Sequence, residues 1–262
     1  MIHIVVNGAG GKMGRETVKA VSSDPELKLT GAADPSHQGE DAGLLAGIEK
    51  DGVAVSGSLQ EALEQADPQV VVDFTSPSVI FKNAAAVMEK GISMVIGTTG
   101  LTEKQRSLLQ EISSRTGANA LIAPNFSLGA VLMMEAAAKI SAYLPNAEII
   151  ELHHNHKYDA PSGTARLTAE KMAAARKQQP CEDRTAESIP GARGAAVEGI
   201  RIHSVRLPGY VAHQEVLFGG EGEILTIRHD SLDRKSFMPG VLLACKKVLA
   251  VPGVTYGLEH YL

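Results

Sequence analysis

The sequence has no tryptophan, few aromatic residues of any kind and only two cysteines. Aromatic residues make up 4% of the 262 residues, which is too few for the stacking platforms of proteins that bind single-stranded nucleic acid. Cys181 and Cys245 are far apart and lack the spacing of a metal site or a CxxC pair. We therefore expect two free thiols, as in proteins of a reducing cytosol.

The chain also lacks positive net charge and long apolar runs. Its formal net charge is −5, which opposes binding to a phosphate backbone. No apolar run in the sequence approaches the roughly 20 residues that a membrane span requires, and no basic leader precedes the apolar run at Ile2. We expect a cytoplasmic protein that binds neither nucleic acid nor membrane.

Strand-like and helix-like segments alternate through the first half of the chain. Short runs rich in β-branched residues predict strands, and the stretches between them carry apolar residues at helical spacing. Strands that alternate with helices form right-handed βαβ units, so we expect a Rossmann-type, doubly wound parallel sheet in residues 1–126, the dinucleotide-binding domain. The predicted strands are residues 2–7, 27–34, 53–55, 69–75, 94–99 and 120–125, and the predicted helices are residues 13–22, 59–65, 79–90 and 103–115.

The alternation of strand-like and helix-like segments ends after residue 126, and the length of the chain allows a second domain. Ser127 is a helix N-cap in front of an Ala-, Met- and Leu-rich run, and three later alternating runs are separated by Pro-Gly and Gly-Gly turns. We expect an α+β domain over residues 127–233 with a largely antiparallel or mixed sheet, and a C-terminal helix in residues 234–262 that packs back on the first domain. The predicted helices are residues 127–144, 164–177 and 235–250, the predicted strands are residues 147–154, 199–207, 212–218 and 223–229, and residues 178–198 form a loop.

A glycine-rich turn follows the first predicted strand, with glycines at positions 8, 10, 11 and 14. Such a turn lets the backbone approach a pyrophosphate at the N-terminus of the next helix. The strict GxGxxG pattern is not met, because its sixth position counted from Gly8 is Met13. A glycine-rich turn without a ligand is the alternative. The residues that we expect to contact a dinucleotide here are Gly8, Ala9, Gly10, Gly11, Lys12 and Met13.

Asp34 ends the second predicted strand, twenty residues after Gly14. A carboxylate at this position binds the ribose hydroxyls of an adenosine moiety, although an Asp-Pro pair is also an ordinary turn. No arginine follows Asp34, so we expect NADH to be used readily. Lys12 is a mobile point charge on the glycine turn that can reach a 2′-phosphate, which leaves NADPH as a second cofactor.

Three histidines and a lysine cluster in residues 153–157, shortly before the sequence Pro161-Ser162-Gly163-Thr164. Histidine can donate a proton near neutral pH, and a lysine next to a helix N-terminus can neutralise a carboxylate. Two other interpretations stay open: a histidine metal site, for which no completing cysteine or carboxylate set is present, and solvated surface histidines. We favour a catalytic site and expect no metal.

Residues 151–165 resemble the signature E-x-H-H-x-x-K-x-D-x-P-S-G-T-A of the 4-hydroxy-tetrahydrodipicolinate reductases. Other family segments occur in the family's order, at residues 8–14, 72–75, 95–100 and 123–127, so the resemblance covers essentially the whole chain. It implies NADH- or NADPH-dependent reduction of a small dicarboxylated ring, in lysine biosynthesis via diaminopimelate. Pro35 stands where some relatives carry a basic residue, which argues against strict selectivity for NADPH.

The resemblance also implies a role for each matched residue. His153 would donate the proton, and Lys157 would be the second catalytic residue and hold a substrate carboxylate. A homotetramer built through the second domain is implied as well. Substrate binding would be completed by His154, Ser162, Gly163 and Thr164. The cofactor site would add to the glycine turn Asp34, Gly97, Thr98, Thr99, Ala123, Pro124, Asn125 and Phe126.

Two other functions share part of this pattern. Another two-domain dehydrogenase would keep the glycine turn, but a semialdehyde dehydrogenase needs a cysteine nucleophile, and neither cysteine here stands in such a motif. A nicotinamide-binding sensor without turnover has no need of the His-Lys cluster. The cluster therefore favours the reductase.

Overall fold

The computed structural model describes all 262 residues, which divide into two compact units. Unit 1 comprises Met1–Phe126 and Phe237–Leu262, and unit 2 comprises Ser127–Ser236. None of the helices combines the length and the apolar character of a membrane span.

Unit 1 is built around one parallel sheet. Its strands are β1 (Ile2–Asn7), β2 (Leu27–Ala33), β3 (Val55–Ser56), β4 (Val70–Asp73), β5 (Ser93–Ile96), β6 (Ala120–Ile122) and β12 (Val254–Tyr256), and its helices are α1 (Lys12–Ser23), α2 (Ala42–Ala46), α3 (Leu59–Gln65), α4 (Ile80–Met88), α5 (Glu103–Thr116) and α8 (Met238–Lys247). The strand order is β12-β6-β5-β4-β1-β2-β3, with parallel neighbours throughout. This is the Rossmann order extended by β12, so the predicted doubly wound fold is confirmed.

The central strands of this sheet are buried on both faces. Every residue of β4 and β5 is buried, which explains the apolar runs at residues 70–72 and 94–96. Val87 of α4 and Leu109 of α5 belong to the core that covers one face. Because the strand order reverses beside β1, ligands are expected at the carboxyl ends of β1 and β4.

Several boundaries in unit 1 differ from the sequence prediction. Strands β4, β5 and β6 end at Asp73, Ile96 and Ile122, earlier than predicted, because the residues that follow leave the sheet as loops. Helix α2 and strand β12 are too short for a periodic pattern, and both are absent from the prediction. The C-terminal region predicted as a helix therefore also contains an edge strand that pairs with β6, and α8 starts at Met238 after a short 3-10 helix.

Unit 2 packs two helices on a mixed five-stranded sheet. Its elements are α6 (Leu128–Ser141), β7 (Asn146–His153), α7 (Gly163–Ala175), β8 (Ala195–Val197), β9 (Ile200–Arg206), β10 (Ala212–Gly220) and β11 (Glu223–Ser231). The order is β11-β10-β7-β9-β8, in which only β7 and β9 run parallel. The expected mixed sheet is confirmed, whereas β8 lies in the predicted loop, and β9 runs opposite to β10 without pairing with it, because β7 lies between them. The core includes Ala137, Ile149, Ala169, Met172, Ile202 and Val216.

Candidate active site

The glycine turn after β1 is shaped so that a bulkier residue would not fit. Gly8 has φ +82°, and a Cβ on it would lie 2.5 Å from the carbonyl oxygen of Phe74. A Cβ on Gly14 would lie 2.0 Å from the carbonyl oxygen of Gly8. Gly11 is the N-cap of α1 and supplies no side-chain cap, so the N–H groups of the first helical turn are available to an anion. The turn therefore fits a pyrophosphate.

Asp34 lies beside the glycine turn and is held by main-chain donors. Its Oδ2 accepts a hydrogen bond from the N–H of Gly10 at 2.9 Å, and its Oδ1 accepts one from the N–H of Ser36 at 2.9 Å. The ring of His37 covers Gly10, since a Cβ on Gly10 would lie 2.1 Å from Cδ2 of that ring. His37 is not among the residues predicted from the sequence, and only the structure brings it to the turn. No lysine or arginine occurs between Asp34 and Glu40.

A buried carboxylate ties together the strand ends around the turn. Asp73 is fully buried at the end of β4 and accepts hydrogen bonds from Asn7 Nδ2 at 2.7 Å, Asn83 Nδ2 at 3.1 Å and Thr98 Oγ1 at 2.8 Å. Thr75 donates to it through both Oγ1 and N–H. The side chain predicted at Thr98 for cofactor binding is therefore used within the protein, where it fixes the loop after β5.

The other predicted cofactor residues lie at the carboxyl ends of β5 and β6. The ring of Phe74 packs on Gly97, where a Cβ would lie 2.0 Å from Cε1, and it meets Phe126 edge to face at 5.8 Å between centroids. Asn125 is partly buried on the same loop. The lining of a small cavity of about 50 Å³ at this edge includes Thr98, Thr99, Ala123, Pro124 and Tyr256.

All predicted cofactor residues therefore lie in unit 1, at the carboxyl ends of β1, β2, β5 and β6. In the first turn of α1, Lys12 is exposed and Met13 is partly buried, while Ala9 is buried in the turn itself.

A second buried carboxylate lies at the end of β7, next to the predicted proton donor. Glu151 is fully buried and accepts hydrogen bonds from Nδ1 of His153 at 2.5 Å and from the two terminal nitrogens of Arg206 at 2.8 and 2.7 Å. The N–H of Ser162 donates to it at 3.2 Å. Burial raises the pKa of Glu151, but hydrogen bonds from His153, Arg206 and Ser204 outweigh burial and bring the pKa to about 2. The carboxylate is therefore ionised at neutral pH.

His154 follows His153 where the chain leaves β7 for a loop. Its Nδ1 accepts a hydrogen bond from the N–H of His156 at 3.2 Å. Partial burial and the positive charges of His156, His153, Arg234 and Lys157 lower the pKa of His154, so this ring is neutral at physiological pH. No group of three or more His, Cys, Asp or Glu side chains converges as metal ligands would.

Lys157 and the start of α7 both contact the carboxylate of Asp159. Nζ of Lys157 lies 2.7 Å from Oδ1 of Asp159, and the N–H of Gly163 also donates to Asp159. Burial raises the pKa of Asp159, but the hydrogen bond and the charge of Lys157 outweigh burial and lower it. Ser162 caps the helix by accepting from the N–H of Ala165. The cation and the helix start therefore form an anion site that Asp159 occupies.

The predicted substrate residues thus come together in unit 2, at the end of β7 and the start of α7. Glu151, Arg206 and Asp159 are not among the functional residues predicted from the sequence. Glu151 and Asp159 stand in the 151–165 motif, which was the available signal, but their contacts depend on the neighbouring strand and helix. Arg206 lies 55 residues from Glu151 in the sequence and carried no signal.

Comparisons with known proteins agree over the whole chain. The family described as "Dihydrodipicolinate reductase, N-terminus" matches residues 2–126, and "Dihydrodipicolinate reductase, C-terminus" matches residues 129–262. A protein of Nostoc sp. named 4-hydroxy-tetrahydrodipicolinate reductase is 50% identical over 273 residues, with 100% of this chain and 98% of the relative covered. The protein of that name from Moorella thermoacetica is 47% identical, with the same coverage.

A solved structure gives the same result. The dipicolinate-bound dihydrodipicolinate reductase from Paenisporosarcina sp. TG-14 superposes with a TM-score of 0.88 at 39% identity, and both chains are covered completely. The resemblance expected from the sequence is thereby confirmed. The chain belongs to the dihydrodipicolinate reductase family of NADH- or NADPH-dependent oxidoreductases, which act on 4-hydroxy-tetrahydrodipicolinate in diaminopimelate and lysine biosynthesis.

Proposed function

We propose that in the reduction of 4-hydroxy-tetrahydrodipicolinate to tetrahydrodipicolinate, His153 of this chain is the proton donor and Lys157 holds a substrate carboxylate. The observation that carries this proposal is the pairing of His153 with Glu151, which is buried and ionised. Nδ1 of His153 is engaged by that carboxylate, whereas Nε2 has no hydrogen-bond partner and the side chain is 14% exposed. Nε2 is therefore the nitrogen that can deliver a proton to a substrate.

The anion site at the start of α7 supports the second part of the proposal. Lys157 and the N–H of Gly163 already hold the carboxylate of Asp159, so a carboxylate of the substrate ring finds the same partners by displacing Asp159. The ligand named for the Paenisporosarcina structure, dipicolinate, is a ring with two carboxylates. The remaining contacts come from His154, Ser162 and Thr164.

The turn in unit 1 fits a nicotinamide dinucleotide, because Gly8 and Gly14 let the backbone turn tightly and Gly11 leaves the first N–H groups of α1 without a side-chain cap. The proposed contacts are residues 8–13 to the pyrophosphate and Asp34 to the adenosine ribose, with residues 97–99 and 123–126 along the remaining edge. The bound reduced nicotinamide supplies the hydride that C4 of the substrate ring receives.

The chain's own part in the reaction is positioning and proton transfer. The substrate loses water to give a dihydropyridine, and C4 of that ring gains a hydride. The electron pair of the carbon–carbon double bond then resides in an enamine, which takes a proton from Nε2 of His153 at C3. Lys157 and the α7 start neutralise a ring carboxylate and fix the face of the ring that is presented.

The proposal extends to assembly and location: a homotetramer formed through unit 2, which is also the substrate-binding unit, in the cytoplasm. Strand β11 supports the assembly, because Ile224 and Leu225 are 82% and 40% exposed on it, and exposed apolar side chains on a sheet favour burial against another copy. A sedimentation measurement that finds only monomer at micromolar concentration would exclude the tetramer, and a secreted fraction in cells would exclude the location.

The function is tested by adding freshly generated 4-hydroxy-tetrahydrodipicolinate to the purified protein with NADH or NADPH and following the loss of reduced nicotinamide absorbance. Rapid oxidation that depends on the substrate supports the proposal. Cofactor binding without turnover would instead favour a sensor or a different dehydrogenase.

The cofactor preference follows from the surroundings of Asp34. We expect kcat/KM for NADH and NADPH to lie within about a hundredfold of each other, because Asp34 suits ribose hydroxyls while the exposed Lys12 can approach a 2′-phosphate. Steady-state kinetics with both cofactors measures the ratio. A preference for NADPH above about a hundredfold would show that this expectation is wrong.

The fit of the glycine turn gives a second expectation. Gly14→Ala places a methyl group 2.0 Å from the carbonyl oxygen of Gly8, so the turn has to shift, and we expect NADH affinity to fall by about tenfold or more, equivalent to about 1.4 kcal/mol. Calorimetric titration with NADH measures the loss. The matched control is Gly219→Ala in β10, where an added Cβ meets no atom within 4 Å. Equal affinities for the two variants would contradict the proposed pyrophosphate site at the glycine turn.

A further inference from the structure

We infer that Glu151 is a positioning residue for this reaction: it selects the ring nitrogen of His153 that faces the substrate and fixes the start of α7 at the same time. The inference rests on the proposed role of His153 as proton donor. Glu151 itself would touch neither the substrate nor the reacting atoms.

The contacts of Glu151 divide its two oxygens between these tasks. Oε2 accepts from Nδ1 of His153 at 2.5 Å and from Nη1 of Arg206 at 2.8 Å. Oε1 accepts from Nη2 of Arg206 at 2.7 Å and from the N–H of Ser162 at 3.2 Å. One carboxylate thus joins the end of β7, the end of β9 and the N-cap of α7. With 0% exposure, it has no competing solvent contacts to loosen this arrangement.

The bond to His153 determines the tautomer of the ring. The pKa of Glu151 is about 2, so the carboxylate only accepts hydrogen bonds, and Nδ1 must carry a hydrogen whenever this contact exists. In the neutral ring the lone pair is then on Nε2, and in the protonated ring Nε2–H is the proton that leaves.

The same ion pair holds the loop that carries Lys157. Glu151 precedes this loop, Ser162 ends it, and Nη2 of Arg206 also donates to the carbonyl oxygen of Asp159 within it, at 2.8 Å. Loss of the Glu151 charge would therefore loosen both His153 and the loop that carries Lys157. A contact between side chains in the core of the sheet would affect neither. Buried ion pairs are poor stabilisers compared with apolar packing, so stability alone does not account for this one.

The chain supplies a matched control three residues earlier on the same strand. Glu148 also accepts from an arginine and a histidine, Arg193 and His203, the latter at 2.7 Å from Nε2. Glu148 lies outside the motif at residues 151–165 and outside the proposed site. Glu148→Gln therefore removes the same kind of carboxylate without touching His153.

The first measurement is ¹⁵N NMR of the protein labelled at histidine nitrogens, with His153 assigned by comparison with His153→Gln. In the unmodified chain at high pH, neutral His153 is expected as the Nδ1–H tautomer. A neutral Nε2–H tautomer overturns the inference, and this readout does not depend on any Glu151 variant folding.

The second measurement compares Glu151→Gln with Glu148→Gln in the reduction assay. Glu151→Gln is expected to lower kcat about 10- to 100-fold, to raise KM for the dicarboxylate substrate and to leave NADH affinity unchanged, whereas Glu148→Gln retains activity. Equal kcat for the two variants overturns the positioning role. Full activity in His153→Gln would instead overturn the proposed proton donor, so the two failures are distinguishable.

Discussion

Replacement of His153 by glutamine is expected to lower kcat by about 10²- to 10⁴-fold, the usual contribution of a positioned general acid. Glutamine keeps an amide that can occupy similar space, but it cannot deliver a proton to a carbon atom at neutral pH. KM for the substrate is expected to change little, because the carboxylate contacts come from Lys157 and the start of α7. Steady-state kinetics with saturating NADH separates the two parameters.

His203→Gln is the control for this variant. His203 lies on the neighbouring strand β9 and pairs with Glu148 through Nε2 at 2.7 Å, much as His153 pairs with Glu151. It is 28% exposed and outside the motif, so its replacement is expected to leave kcat near that of the unmodified chain. A similar loss in both variants would mean that breaking a carboxylate–histidine pair in this sheet, and not removal of an acid, lowers activity.

Replacement of Lys157 by alanine is expected to lower kcat/KM by about 10²- to 10³-fold, with kcat reduced and KM raised. The reason is that Lys157 both binds a ring carboxylate and fixes the face of the ring, so its loss affects the ground state and the transition state. The variant also releases Asp159, which is then held only by the main chain at the start of α7. Its negative charge would repel the substrate carboxylate.

Lys171→Ala is a closely matched control. Nζ of Lys171 lies 2.7 Å from Oε1 of Glu135, and Nζ of Lys157 lies at the same distance from Oδ1 of Asp159. Both lysine side chains are 24% exposed. Lys171 lies on α7, two turns beyond the anion site, and its replacement is expected to leave both parameters nearly unchanged. If Lys157→Ala changes KM alone, the lysine binds the ground state and the transition state equally, and the proposed role in fixing the ring for reaction is wrong.

Some elements could be predicted from the sequence to within one residue, whereas the last helix, expected over residues 235–250, spans only Met238–Lys247. Strand β1 and helix α3 have the predicted bounds, Ile2–Asn7 and Leu59–Gln65, since each has an apolar pattern of one period. Three short elements, β8, β12 and α2, could not be predicted, because a neighbouring strand or a local turn stabilises them and their own pattern is too short. The equally short β4, β5 and β6 could be predicted, because they overlap longer runs rich in apolar or β-branched residues.

The site was partly predictable for a similar reason. Residues 153–164 and the glycine turn stand in local motifs, so their identity and order carry the signal. The partners of these residues are distant in sequence: Arg206 reaches Glu151 across 55 residues, and Thr98 reaches Asp73 across 25. Burial of Glu151 and Asp73 is likewise decided by the sheets around them, and no pattern of nearby residues marks a carboxylate as buried.

The central claim, that His153 protonates the substrate during reduction, is tested most directly by a single-turnover experiment. The protein saturated with NADH is mixed with substrate, and the ultraviolet absorbance of the enamine is recorded together with that of the nicotinamide for the unmodified chain and for His153→Gln, with NADH affinity measured in parallel. We predict unchanged NADH affinity and an enamine that is consumed at least about a hundredfold more slowly in the variant. Equal rates of enamine consumption in the two proteins would contradict the assignment of His153 as the acid.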